Sequence, residues 1–135
     1  MYKIKNLAEK TLNKKLLEEF LDFANKKLEV DKPYSVYFVD DKSNATDPLG
    51  KTAMYNPTSN SVYVYATNRH PKDICRSFAH ELIHHVQNER GDLELGDASS
   101  PTYAQDDKHM RKMEMEAYLK GNMLFRDWED KVKNQ

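Results

Sequence analysis

Apolar residues recur at helical spacing over residues 11–29, where Leu12, Leu16, Leu17, Phe20, Phe23, Ala24 and Leu28 share one face and lysines occupy the other. This pattern predicts an amphipathic helix. Thr11 or Asn13 is placed to cap it, and "DKP" at 31–33 to end it, because Pro33 disfavours helix at Lys32. Residues 34–40, "YSVYFVD", are β-branched and aromatic and predict a strand. A polar loop rich in turn residues follows at 41–50. Two further strands are predicted at 51–56 and 61–67, joined through "PTSN" as a hairpin.

Helical periodicity returns after residue 67. Ile74, Phe78, Ala79, Leu82, Ile83 and Val86 form one apolar face, with Pro71 and Asp73 suited to a first turn and Gly91 to a stop. Residues 92–107 are polar, contain Gly, Ser and Pro, and read as a long loop. The last helix is expected from about Lys108 to Lys131, with Met110, Met113, Ala117, Gly121, Leu124 and Trp128 as its buried stripe. The order helix, three strands, helix, loop, helix predicts an α+β fold with a small antiparallel or mixed sheet.

Composition narrows the class of protein. A chain of 135 residues, 39% hydrophobic and 32% charged, fits one domain over 1–135. The net charge of −1 lacks the basic bias of a nucleic-acid binder. A single cysteine, Cys75, allows no internal disulfide and no cysteine-based zinc site. Cys75 is expected to be a buried small residue, and the lysine pairs at 14–15 and 26–27 a solvated helix face. "MYKIKNLAEK" has no apolar core of a signal peptide, and no run approaches the ~20 apolar residues of a membrane span. A cytoplasmic protein is expected.

The predicted helix with Pro71 carries "FAHELIHHVQ", in which His80, Glu81 and His84 read H-E-x-x-H. Residues four apart share a helix face, so the two imidazoles can bind one Zn²⁺. Glu81, next to His80, can take a proton from a water that zinc acidifies to a pKa of about 7. His85 is turned about 100° from His84 and is expected at the surface.

A catalytic zinc needs a third protein ligand. The last predicted helix offers Glu114 and Glu116. With Ala117 at the centre of the buried stripe, Glu114 falls at about 60°, at the edge of the stripe, and Glu116 at about −100°, toward solvent. Glu114 is therefore the candidate ligand. Ala117 and Gly121 would let this helix approach the motif helix closely.

"SFAHELIHHVQNERGDL" followed by "EMEAYLKGN" resembles the gluzincin zinc metallopeptidases, whose pattern is H-E-x-x-H on one helix and E-x-x-A-(D/N/Y) on a later one. The short chain is similar to minimal single-domain forms, including metallopeptidase-like proteins encoded by bacteriophages. The resemblance implies a zincin-like fold and zinc held by His80, His84 and Glu114, with Glu81 as general base and acid. It also implies that an edge strand, here "SVYVYAT", receives an extended peptide or protein substrate. Many gluzincins carry Asp where this chain has Tyr118. Tyr103, His109, Arg111 and Tyr118 stay open as oxyanion donors. Two other readings also stay open: a catalytically silent zincin-like metal-binding or interaction protein, and a metal-free helical domain.

Overall fold

A computed structural model describes residues 2–6, 14–47, 52–93 and 103–133, and only the backbone of 5–6 and 103–107. In chain order the elements are β1 (Tyr2–Asn6), α1 (Lys14–Lys27), β2 (Tyr34–Val39), α2 (Lys42–Thr46), β3 (Ala53–Asn56), β4 (Ser61–Tyr65), α3 (Pro71–Glu89) and α4 (Tyr103–Lys133). The α+β class is as expected. The sheet, however, has four strands in the order β1-β2-β4-β3, not three. The added strand, β1, has too few apolar residues for its pattern to announce it, and pairing against β2 defines it.

β1 and β4 both run parallel to β2, whereas β3 and β4 form the expected antiparallel hairpin. Along β2 and β4, Tyr34, Val36, Phe38, Val62 and Val64 face inward and join one core with α1, α3 and α4. Tyr37 and Tyr63 lie on the opposite face, with their rings stacked 4.7 Å apart. β4 lies inside the sheet, so the expectation that "SVYVYAT" is the open strand does not hold. The edge strand on this side is β3.

α1 buries Leu17, Phe20, Leu21 and Ala24, the i, i+3, i+4, i+7 stripe of an amphipathic helix. Its proposed caps, Thr11 and Asn13, lie outside the described residues. The helix ends well before Pro33. Glu29 takes φ 51° and its N–H donates to Lys26 O, while the Val30 N–H donates to Asn25 O at 3.1 Å. This is a Schellman turn with a non-glycine residue at its left-handed position. α3 closes with the same turn at the predicted glycine: Gly91 has φ 80°, and the Asp92 N–H donates to Gln87 O at 2.9 Å. At the other end of α3, Pro71 occupies the first turn after His70, whose ring accepts from the Lys72 N–H.

α3 is covered twice, by the sheet on one side and by α4 on the other. Ten of its nineteen residues are buried as a result. His85, expected at the surface, is fully buried. Turning away from α4 brings it under the sheet, where Tyr55 Oη and Lys32 O each lie 2.8 Å from its ring nitrogens. α4 starts at Tyr103, earlier than the expected Lys108, and so takes up part of the predicted loop. Of its expected buried stripe, Met113, Ala117, Gly121, Leu124 and Trp128 are buried, whereas Met110 is only half-buried.

α3 and α4 approach closely at Gly121. A Cβ there would stand 3.0 Å from both Cα and N of His80 and 3.3 Å from Ala79 C. These are backbone atoms and cannot swing aside. Gly121→Val should therefore cost roughly 2–3 kcal/mol by overpacking, well beyond the few tenths it gains in helix propensity. Urea unfolding measures this, and wild-type stability in the variant would contradict the close crossing.

Candidate metal centre

α3 projects His80 and His84 toward α4, one turn apart, with ring centroids 5.0 Å from each other. α4 supplies Glu114 across the crossing. Its Oε1 lies 2.9 Å from His84 Nε2 and its Oε2 3.2 Å from His80 Nε2. One donor atom from each of the three residues falls within a 4.8 Å cluster. The third ligand chosen from helix geometry is therefore the residue that meets the motif. Among the described residues this is the one group of three or more His, Cys, Asp and Glu side chains so arranged.

A carboxylate only accepts, and an unprotonated imidazole nitrogen does too. A neutral imidazole nitrogen that bears the ring proton donates to the carboxylate, whereas one that turns its lone pair there leaves room for a shared cation. Burial, and then the neighbouring His84 ring, hold His80 below the ordinary imidazole range, against the pull of Glu114. That disfavours a proton on His80 as the cation. Two imidazoles and a carboxylate are instead a donor set that suits Zn²⁺. The three residues fit such an ion and could hold it, and the carboxylate stays open to solvent on its outer side, with the Glu114 side chain 57% exposed.

Glu81 is buried beside this cluster, and burial, then the charge of Glu114, raise its carboxyl to about 7. It lies where two surface depressions meet. One, of about 280 Å³, runs past Thr52, Ala53, Ser77 and Tyr118. The other, of about 410 Å³, runs past Met54, Tyr55, Pro57 and Met110. The edge strand β3 borders both. A molecule lying along β3 would pass Glu81 with the His80–His84–Glu114 cluster beneath it.

Several side chains stand elsewhere than expected. Glu116 is not a free surface carboxylate. It accepts from Gln87 Nε2 at 2.9 Å and from Arg90 Nη2 at 2.7 Å, contacts that lower its pKa to about 2. The α3 C-terminus brings Arg90 to it, which angles along a single helix do not reveal. Gln87, which the sequence did not single out, is fully buried and bonded to His84. Its position three residues after His84 was the available signal. Of the oxyanion candidates, Tyr118 is exposed on the rim beside His80 and Glu81, while the His109 ring lies 2.6 Å from Asp92 O. The Tyr103 side chain lies outside the described residues.

Comparison with protein families, curated proteins and solved structures finds no match to this chain.

Cys75 is buried, as expected, and burial pushes its thiol up to about 12. Thiol reagents at pH 8 should leave it untouched in the folded protein and modify it on unfolding. The folded chain keeps this proton, whereas an unfolded chain releases it above about pH 8.5. Cys75 therefore subtracts from stability as pH rises beyond that value. Rapid labelling of native protein would contradict the burial.

Proposed function

We propose that this chain is a zinc-dependent peptidase of the gluzincin type, with a zincin-like fold, that hydrolyses peptide bonds. The observation that carries the reading is the meeting of His80, His84 and Glu114 from two helices, with Glu81 beside them in a groove bordered by an edge strand. His80, His84 and Glu114 hold the metal. Bound zinc supplies Lewis acidity toward a carbonyl and acidifies a water. Glu81 accepts the proton from the attacking water and returns it to the leaving amine. β3, at the edge of the sheet, offers its backbone to an extended substrate as an added strand and aligns the peptide along the groove.

A second reading, a zincin-like binding protein without turnover, draws on one feature of the rim. Met115, Tyr118 and Leu119 are 73%, 68% and 60% exposed beside His80 and Glu114. Apolar side chains left in water next to a site fit a surface that a partner covers.

Protein purified without tags or chelators should carry about one zinc per chain, against little in Glu114→Ala, by elemental mass spectrometry. Glu81→Gln should keep the zinc and lose roughly 10²- to 10⁴-fold of the cleavage of a mixed peptide pool. Cleavage undiminished in Glu81→Gln would sink the proposed mechanism. Zinc without cleavage in the wild type favours the second reading.

A further inference from the structure

We propose that Gln87 is a positioning residue of the metal site: α4 locks its amide in one orientation, which fixes the proton of His84 on Nδ1 and leaves Nε2 free to bind the ion. The proposal rests on the reading of His80, His84 and Glu114 as a metal site and adds a residue outside that set.

Gln87 is fully buried, and its amide meets three partners. Its Nε2 lies 2.9 Å from Met113 O and 2.9 Å from Glu116 Oε1. A backbone carbonyl and a carboxylate can only accept, so the amide end facing them must be the NH₂. The reverse orientation would set acceptor against acceptor twice in a buried position, at a cost of both of these hydrogen bonds. Oε1 is therefore the atom 2.8 Å from His84 Nδ1.

An amide oxygen cannot donate, so His84 Nδ1 must carry a hydrogen. In the neutral ring the lone pair then sits on Nε2. Nε2 is the atom that points at Glu114 Oε1, into the ligand cluster.

The far end of this relay is anchored as well. Arg90 Nη2 and Lys120 Nζ lie 2.7 and 3.2 Å from the Glu116 carboxylate. The bonds converge on Glu116, with His84 donating to Gln87, Gln87 to Glu116, and Arg90 donating to the same carboxylate from the other side. A charged acceptor at the end strengthens the bonds before it, which makes the ring a better metal donor.

The test is zinc affinity of the full chain, measured by competition with a chromophoric chelator. Gln87→Leu keeps the volume and removes both hydrogen-bonding ends, so a packing role alone predicts wild-type affinity. The relay predicts a loss of about 10- to 100-fold. Gln87→Glu alone should also weaken binding, because the introduced carboxylate faces Glu116 and Met113 O. Combining Gln87→Glu with Glu116→Gln should recover most of the loss. The carboxylate brought in on α3 still accepts from His84 there, and the amide brought in on α4 donates to that carboxylate.

Affinity of Gln87→Leu within about threefold of wild type, against that expected range, overturns the proposal. So does a double exchange no better than Gln87→Glu. If Gln87→Leu fails to fold, Glu116→Ala, at the solvent end of the relay, should still bind zinc several-fold more weakly, and unchanged affinity there also overturns it. Wild-type protein that binds no zinc removes the metal site itself, a failure distinct from wild-type binding that Gln87→Leu leaves intact.

Discussion

The crossing of α3 and α4 is set by backbone contact, and the site exists only because the helices come that close. Where Gly121 faces His80 there is no side chain to act as spacer, and Ala117 keeps the neighbouring turn small. At this separation a glutamate on one helix can reach two histidines on the other. Moving α4 out by the width of a methyl group would pull Glu114 from both rings, since its contacts are 2.9 and 3.2 Å. Phe20, Phe125 and Trp128 brace the far end of the crossing, with ring centroids 5.2–6.0 Å apart. The aromatic group and the polar cluster thus share α4, with α1 supplying Phe20 to one and α3 the two histidines to the other.

The second consequence of that packing is that α3 has little surface left. A helix covered by a sheet and by another helix must satisfy its polar side chains internally. His85 does so toward the sheet, through Tyr55 and Lys32 O, and Gln87 does so toward α4. Burial that would be costly for a lone polar group makes these groups rigid once each has partners. His84, the more buried of the two candidate metal-binding imidazoles, is held by Gln87 on the side away from the cluster.

Sheet order decides what can approach the cluster. Because β4 is flanked by β2 and β3, its backbone groups are already paired, and Tyr63 and Tyr65 lie on the face away from the helices. β3 is short and at the edge, and it runs past Glu81. Access to the site is therefore controlled by a four-residue strand and by the exposed rim of α4. Among the described residues no helix is long and apolar enough to cross a membrane.

Much of this was legible in the sequence wherever a local rule was enough. The amphipathic stripes placed α1, α3 and α4, β-branched and aromatic runs placed three strands, and Gly91 marked the end of α3. Helix angles also separated Glu114 from Glu116 as the residue to meet His80 and His84, because a residue's angle on its helix depends on that helix alone. What the angles could not show is what lies opposite. Glu116 turns back to Gln87 and Arg90, His85 is buried, β1 joins the sheet and β4 is internal, each because of a partner distant in sequence. The sequence by itself determined which residue types stand at which angle. Only the tertiary structure decided which of them are desolvated and paired, because burial and hydrogen bonding belong to two surfaces at once.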